Sequence, residues 1–393
     1  MSERWDVVVV GGGASGVAAA ASAARTGART LLVEAAPRIG GTAESAVLTV
    51  MCGAFQHAED PLWLSEGLVQ HVGRALQDTG GPPLRLGSVW VQPFSRQAWL
   101  AVLVGLLDRH GVTVATDTPL TRALASELAP RTWVDCSGDG VTAEALDVPF
   151  EQAWAPALQV PAVSGVLGPL TDGAVLGARS HLALARAAAA GSVPPQVADV
   201  RIHKARDGAL LKLNLAPPAD WDCLDPGARG GLLMTGLSAL DAAVEVLRSR
   251  VSAFAQAGWR HRPTALGVRE SRHLVGRHWL EGTEVRRAAR FEDAVAVGAW
   301  PIELWHGPTH QALTPIAGRT YDVPLGALRA RDRDDVFAAG RCLSASHEAL
   351  GSIRVLGGCF ETGQAAGAAA ALQALHGQVT AADVQPWRTW GEA

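Results

Sequence analysis

Three glycines near the N-terminus have a spacing that suits the binding of phosphate groups. Gly11, Gly13 and Gly16 form the pattern G-x-G-x-x-G, with Ala14 and Ser15 between the last two. In such a turn the first glycine allows a tight bend, the second lets the backbone approach a pyrophosphate, and the third lets a helix pack on a strand. The free N–H groups at the start of that helix favour a bound phosphate. The pattern predicts a dinucleotide site; a glycine-rich turn that binds nothing is the alternative.

The elements that must position these glycines follow the order strand, turn, helix, strand. Residues 6–10 are rich in valine, residues 18–25 are rich in alanine, and a second aliphatic run at 30–33 ends on Glu34. This order predicts a βαβ mononucleotide fold with the glycines in its first turn. Glu34, at the tip of the second strand, is placed to accept hydrogen bonds from ribose hydroxyls.

Composition indicates a globular enzyme of about two domains. The chain has 393 residues, of which 48% are hydrophobic and 18% charged, and its net charge of -4 gives no basic surface for nucleic acid. The five cysteines show no C-x-x-C spacing, which favours reduced thiols in a cytoplasm. The apolar runs are broken well before a membrane-spanning length. We therefore expect a soluble, cytoplasmic protein that binds neither nucleic acid nor membrane.

Further strands are predicted where ligands of a parallel sheet bind. The strand at 132–136 is followed by the turn Gly138-Asp139, and the strand at 335–340 ends on Gly340. A small-residue helix is expected at about 358–375. In an open α/β sheet, ligands lie beyond the carboxyl ends of the strands.

Other elements follow from hydrophobic periodicity and turn residues. We expect helices at 62–76, 96–109 and 237–257, a short buried strand at 112–115 and a strand at 266–275. The stretch from 117 to 131 indicates one short helix.

Four motifs resemble those of the FAD-dependent oxidoreductase family within the glutathione-reductase-like flavoprotein superfamily. They occur in the family's order and span nearly the whole chain: VVVVGGGASG (7–16) with VEAAPRIGGT (33–42), VDCSGDG (134–140), LGVRESRHLVG (266–276) and DVFAAGRCLSASHEALGSIRVLGGCFETGQAAGAAAA (335–371). The resemblance implies an α/β fold in which a Rossmann-like FAD-binding domain is built from both chain ends, 1–140 and 315–393. A mixed α+β substrate domain, 141–314, is inserted, with 43–95 as a candidate addition to it.

The resemblance also implies a set of contacts to FAD. The first glycine turn would hold the pyrophosphate and Glu34 the adenosine ribose, and Gly138 and Asp139 would approach the adenosine side. The remaining contacts are the diphosphate (Arg38, Gly41, Thr42), the ribityl chain (Gly340, Arg341) and the flavin pyrimidine edge (Gly357, Gly358).

The sequence departs from the family at three places. Arg341 stands where many relatives have an acid, so a ribityl contact by this side chain is in question. The segment 117–131 replaces a three-stranded meander. The stretch AWPIELWHG (299–307) lacks the family's usual acid and histidine in a clear alignment.

A flavin between two domains implies hydride transfer at its N5, here between FAD and a small metabolite that is anionic or contains a ring. His347 is the candidate base, or a structural histidine held by a backbone carbonyl. Arg354 anchors an anionic substrate or pairs with Glu348. Arg269 and Arg272 lie at odd spacing on a predicted strand, so they point to opposite faces and only one can line the site; a salt bridge with Glu270 or a surface charge is the alternative for each.

Several functional alternatives remain open at this point. A flavin monooxygenase is one, although AAGRCLSASH does not match the G-D-A-A-H-like run expected of it; a non-catalytic flavin-binding protein is another. The single G-x-G-x-x-G argues against a second nucleotide-binding domain for NAD(P)H. Cys52 and His57 are conceivable points of covalent FAD attachment, and no metal site is expected. The sequence names neither the electron acceptor nor the oligomeric state.

Overall fold

The computed structural model describes residues 4–152, 158–171, 177–206 and 208–391. The strands are β1 Val7–Val10, β2 Thr30–Val33, β3 Val50–Cys52, β4 Leu84–Leu86, β5 Val89–Pro93, β6 Thr113–Ala115, β7 Thr132–Asp135, β8 Phe150–Gln152, β9 Ala162–Gly168, β10 Arg201–Ala205, β11 Gly208–Asn214, β12 Gly258–His261, β13 Arg272–Leu274, β14 Ala294–Gly298, β15 Ile302–Trp305, β16 Gln311–Thr314, β17 Tyr321–Pro324 and β18 Val336–Ala338.

The helices are α1 Ala14–Arg25, α2 Gly41–Ser45, α3 Leu68–Gly80, α4 Arg96–Arg109, α5 Arg122–Leu128, α6 Val141–Ala145, α7 Ala178–Ala189, α8 Pro226–Arg250, α9 Gly282–Arg286, α10 His347–Ile353, α11 Leu356–His376 and α12 Ala381–Val384.

A five-stranded parallel sheet forms the centre of one half of the molecule, which we call the first half although it includes residues from both ends of the chain. Its strand order is β18-β7-β1-β2-β6, so the central strands come from the start of the chain and one edge strand comes from near its end. All four valines of β1 are buried, as expected for a parallel sheet covered by helices on both faces. The expected strand at 112–115 is confirmed as β6, but the prediction that it is buried was wrong, because it lies at the sheet edge and is exposed.

Helices α1 and α11 pack tightly against each other on one face of this sheet. Glycines of α11 make the close approach possible, because a Cβ on Gly363 or Gly367 would collide with the backbone oxygen of Ser15 or Ala19. Most of α11 is buried. Because Gly363 faces Ser15 and Gly367 faces Ala19, the two helices run in the same direction, and α11 begins about two turns before the level of the start of α1.

The second large sheet is antiparallel, with the order β10-β11-β9-β12. Strand β11 alternates: Ala209, Leu211 and Leu213 pack in an apolar core with α8, while Lys212 and Asn214 belong to the other face. That other face is directed at the first half, where the Ser164 hydroxyl donates to the carbonyl of Ala46 at 2.6 Å.

Helix α8 begins eleven residues before the predicted start at 237. Asp225 caps it by accepting from the Ala228 N–H, and Pro226 occupies the first helical position, which together favour an early start. Among the described residues α8 is long and apolar enough to cross a membrane by length and composition. Its buried residues pack on the antiparallel sheet, as in the core helix of a globular domain.

Several predicted elements hold within these bounds and others shift. The helices at 96–109 and within 117–131 are confirmed as α4 and α5. The helix expected at 62–76 is displaced to α3. The expected strand at 266–275 forms a ladder only at β13, because this segment passes from the antiparallel sheet, where Gly267 bridges Ala162, to β8. The proposed division at 141–314 stays a prediction; Val295 and Ala296 of β14 contribute to the core around α1 and α11.

Candidate active site

The first βα turn leaves the start of α1 open. Gly11 has φ +100°, and a Cβ there would lie 2.5 Å from the carbonyl oxygen of Cys136, while a Cβ at Gly16 would overlap the carbonyl oxygen of Gly11. Gly13 is the N-cap residue of α1, and no side chain caps the helix. The N–H groups of Ala14 and Ser15 in the first turn thus have no intrahelical acceptor and suit an anion.

Glu34 and the loop after it border this turn. The carboxylate of Glu34 accepts from the backbone N–H groups of Gly12 and Ala36, the latter at 2.7 Å, which holds it at the end of β2. The backbone of Gly41 lies against Gly13, and Thr42 follows in the first turn of α2. The Arg38 side chain is 64% exposed, and its nearest carboxylate, that of Glu44, is 3.9 Å away and pairs mainly with Arg96. Arg38 therefore remains available for a phosphate.

The end of β18 and the start of α11 form the other side of the candidate FAD site. Gly340 has φ +66° and donates its N–H to the Thr362 hydroxyl at 3.1 Å, and a Cβ there would lie 2.7 Å from the Ser15 hydroxyl. Gly357 and Gly358 lie in the first turn of α11, which also has no side-chain cap. Two uncapped helix starts, a positioned carboxylate and glycines without room for a Cβ fit the pyrophosphate, ribose and flavin edge of FAD.

Asp139 and Arg341 are engaged with the protein itself. Arg229 of α8 donates two hydrogen bonds of 2.9 Å to the Asp139 carboxylate, the Ser271 hydroxyl donates a third at 2.9 Å, and Arg341 lies 3.3 Å away. Burial raises the pKa of Asp139, but Arg341 and Arg229 lower it by more, so its pKa lies below the ordinary value. Arg341 also donates to the carbonyls of Gly138 and Val268. This network ties the turn after β7 to the antiparallel half, and a contact of these residues with FAD stays a prediction.

His347 opens α10 and faces a buried carboxylate. Its Nδ1 lies 2.7 Å from Oε2 of Glu270, a residue that is 2% exposed. Nδ1 must carry the proton in this pair, so Nε2 is the second ring nitrogen available to a ligand, and the side chain is 35% exposed. The hydrogen bond that His347 donates to Glu270 raises the pKa of His347 above its usual 6.5, against the effect of burial.

The same carboxylate has a second histidine on its other side. Nδ1 of His273 donates to the carbonyl of Ala345 at 2.7 Å, and its Nε2 lies 3.4 Å from Oε1 of Glu270. His273 is thus the histidine held by a backbone carbonyl, the role that was the alternative for His347. Trp279 stacks on His273 with ring centroids 6.2 Å apart.

Three cations collect next to this histidine pair. Arg269 is 7% exposed and donates to the carbonyl of Val160 and, at 3.0 Å, to Oδ1 of Asn214. Arg354, between α10 and α11, donates to Oε1 of Gln159 at 3.0 Å. Lys212 lies on the same face of β11 as Asn214, the partner of Arg269, and burial lowers its pKa to about 8.

The carboxylate of Glu303 on β15 lies among these cations, and Glu270 also acts on Arg354. Glu303 accepts from the indole N–H groups of Trp300 and Trp305 at 3.0 and 2.7 Å and from Gln311 at 3.0 Å. Burial raises its pKa, but Arg354, the indole hydrogen bonds and Lys212 leave the pKa below its ordinary value. We call Lys212, Arg269, Glu303 and Arg354 the polar cluster.

Other predicted site residues lie outside this cluster. Arg272 points away from Arg269, pairs with Glu144 and lies over the Phe150 ring. The proposed pairing of Arg354 with Glu348 is not what the structure shows, because Glu348 faces Arg286 at 3.8 Å.

The remaining sequence predictions concern covalent FAD attachment and metal binding. Cys52 lies near the polar cluster, and burial raises its pKa to about 12, so it is a thiol at neutral pH; attachment of FAD at Cys52 or His57 stays a prediction. No group of three metal-ligating side chains occurs within the described ranges.

Sequence reasoning named Glu270 only as a salt-bridge partner of Arg269 or Arg272, whereas the structure places it with His347 and His273. It missed Glu303, Lys212 and Asn214. The alternation of β11, with polar side chains only at the even positions 212 and 214, was a usable signal for the last two. Glu303 was missed although Trp300, Trp305 and Gln311 are all within eight residues of it, whereas the His347 partner of Glu270 is 77 residues away.

Comparison with known proteins gives a family match over nearly the whole chain. The family model described as FAD dependent oxidoreductase matches residues 6–389. Among solved structures, the chain is similar to the anhydrotetracycline hydroxylase OxyS from Streptomyces rimosus (13% identity, 98% of this chain, 65% of that chain, TM-score 0.46). It is also similar to a geranylgeranyl bacteriochlorophyll reductase-like protein from Thermoplasma acidophilum (13% identity, 98% and 82% coverage, TM-score 0.49). The chain spans just under two thirds of the hydroxylase. No curated protein matches it.

Proposed function

The chain belongs to the FAD-dependent oxidoreductase family, and on that basis we propose that it oxidises or reduces a small metabolite by hydride transfer at flavin N5, with His347 moving the accompanying proton. The protein is thus an FAD-dependent enzyme. We also assign it a Rossmann-like FAD domain of the glutathione-reductase-like type. The parallel sheet and the two uncapped helix starts support that assignment.

FAD, when bound, supplies the two-electron acceptor or donor. The residues of this chain would hold it at three places: the first turn of α1 at the pyrophosphate, Glu34 at the ribose and the first turn of α11 at the flavin edge. Gly340 leaves space between them because it has no side chain.

The observation that carries the proposal is the hydrogen bond between His347 and Glu270. The carboxylate fixes the tautomer and orientation of the imidazole, so Nε2 presents a lone pair to a substrate O–H or N–H group. In the oxidative direction Nε2 takes the proton as the C–H hydride leaves; in the reductive direction it gives that proton back. Since Glu270 raises the pKa of His347, oxidation should speed up as the pH rises past a value above 6.5.

The test uses the purified holoenzyme and the substitution His347→Gln. Under anaerobic conditions, candidate metabolites are mixed with the enzyme and bleaching of the oxidised-flavin band is followed. We expect FAD to stay bound and the rate of reduction to fall by about 10²- to 10⁴-fold, the usual contribution of a positioned proton acceptor. The matched control is His376→Gln, an exposed histidine at the far end of α11, which should react like wild type.

Three results would contradict parts of the proposal. Reduction of His347→Gln at the wild-type rate would remove this residue from proton transfer. Failure of every metabolite to bleach a stoichiometrically bound FAD would leave a binding role. A hydroxylated product formed with oxygen would identify a monooxygenase instead.

A further inference from the structure

The polar cluster carries more positive charge than the protein matches. Lys212, Arg269 and Arg354 lie around the carboxylate of Glu303. A second carboxylate, Glu270, acts on Arg354 but is hydrogen-bonded to His347, so three cations face two carboxylates within the described residues. Among the described residues, the hydrogen bonds to the Glu303 carboxylate come from neutral groups, two tryptophans and a glutamine, whereas Arg354 donates to the backbone carbonyl of Glu303 at 3.4 Å. Charges that are removed from water are normally paired, because an unpaired buried charge is costly.

The acidity of the cations shows the same imbalance. Burial lowers the pKa of Lys212 to about 8, with Arg269 adding to the effect. Burial also lowers the pKa of Arg269 to about 9, with Arg354 adding to it, and Glu303 only partly offsets this. Such shifts mean that each cation would be stabilised by an added negative charge.

The unsatisfied polar atoms of the cluster are donors. Nε2 of Gln159, a residue that is 3% exposed, and Nε of Arg354 are buried and have no hydrogen-bond partner. The Gln159 orientation is fixed, because its Oε1 accepts from Arg354. The ammonium of Lys212 has no hydrogen bond or ion pair within the described residues, and it lies 5.8 Å from the centroid of the Trp305 ring. What is missing at this site is an acceptor.

We propose that Lys212, together with Arg269 and Arg354, binds the carboxylate of the substrate, so that the enzyme acts on a carboxylic acid and not on a neutral compound. This rests on the proposed function, since it names the substrate class of the same site. Planar guanidinium groups and an ammonium match the geometry of a carboxylate. Glu303 then serves as a counter-charge that keeps the cations in place while the site is empty.

The chain allows a direct test, because Lys204 and Lys212 are its only lysines. The holoenzyme is labelled with trace acetic anhydride, and acetylation at each lysine is measured by mass spectrometry with and without benzoate or its neutral analogue benzamide. At a benzoate concentration ten times its Kd we expect labelling of Lys212 to slow by about tenfold, because only unoccupied sites react. Lys204, exposed on the neighbouring strand β10, should be unaffected, and benzamide should protect neither lysine.

A second measurement removes the charge. Benzoate binding to the holoenzyme is measured by calorimetry for wild type, Lys212→Met and the control Lys204→Met. We expect Kd to rise about tenfold or more in Lys212→Met, as for the loss of a charge-assisted hydrogen bond, and to stay constant in Lys204→Met.

Each result bears on the proposal separately from the oxidoreductase assignment. Equal protection of Lys212 by benzamide, no protection by benzoate, or unchanged benzoate affinity in Lys212→Met would overturn it, whether or not metabolites reduce the flavin. Weaker FAD binding in Lys212→Met with unchanged benzoate affinity would assign the cations to the flavin and also overturn it. If the variant does not fold, labelling of the wild-type enzyme decides.

Discussion

The glycine turn at the start of the chain and the polar cluster are assembled in opposite ways. The turn takes its glycines and its carboxylate from residues 11–34, and Gly11 and Gly16 are required because backbone atoms occupy the space of a Cβ. The cluster takes its members from β11, the segment before β13, β15 and the residue between α10 and α11, which span 212–354. The turn therefore depends on the absence of side chains and the cluster depends on the balance of charges. Substitutions that add volume should disrupt the turn, and substitutions that change charge should disrupt the cluster.

Gly16→Ala should give the largest effect and test the spatial limit. The new methyl group would overlap the carbonyl oxygen of Gly11, so the turn must open or α1 must shift. We expect a loss of stability of about 1–3 kcal/mol from overpacking, together with loss of bound FAD. Thermal unfolding and the ratio of flavin to protein absorbance measure the two effects.

The matched control for this substitution is Gly105→Ala in the interior of α4. A Cβ at Gly105 meets nothing within 4 Å. We expect a gain of about 0.5–1 kcal/mol from helix propensity and normal FAD content. Wild-type stability and FAD content in Gly16→Ala would mean that the turn is not limited by space.

The same contrast explains what the sequence could predict. The glycine turn, Glu34 and the final helix were predicted because each depends on residues close in sequence. The early start of α8 was missed because the pair Asp225-Pro226 was not taken as a cap. The partners of His347 and Arg354 could not be predicted, because Glu270 and Gln159 reach them only when the antiparallel sheet docks on the parallel one.

Asp139→Asn should have an intermediate effect. It tests the ion-pair network that joins the turn after β7 to the antiparallel half of the molecule. The substitution leaves Arg229 and Arg341 without their shared anion, so we expect a loss of about 1–3 kcal/mol at neutral pH. Because the folded-state pKa of Asp139 is lowered, its contribution is complete above the unfolded pKa near 4 and is lost as the pH falls through the folded value. Urea unfolding of wild type and variant should therefore converge in acid.

Asp147→Asn is the control for this charge. Asp147 also pairs with an arginine, Arg122, but both side chains are exposed, at 74% and 62%. Its φ of +54° suits asparagine as well as aspartate. We expect its stability to follow wild type at every pH. A loss in Asp147→Asn equal to that in Asp139→Asn would mean that the link has no special role.

Glu270→Gln should give the smallest change and separates charge from position within the site. A glutamine at 270 can keep both contacts, because its oxygen accepts from Nδ1 of His347 and its amide donates to Nε2 of His273, which has no hydrogen-bond partner at present. Folding stability should therefore change little. The pKa of His347 should fall, because its hydrogen bond to the Glu270 carboxylate is the largest cause of the raised pKa.

The measurement is the pH dependence of kcat/KM for substrate oxidation. Its acidic limb should move to lower pH in Glu270→Gln, while the plateau falls by about tenfold because the imidazolium loses its counter-charge. An unchanged limb would show that another group titrates there. A large loss of stability would show that Glu270 acts mainly in packing. The surroundings of His347 would then depend on close packing, as the glycine turn does.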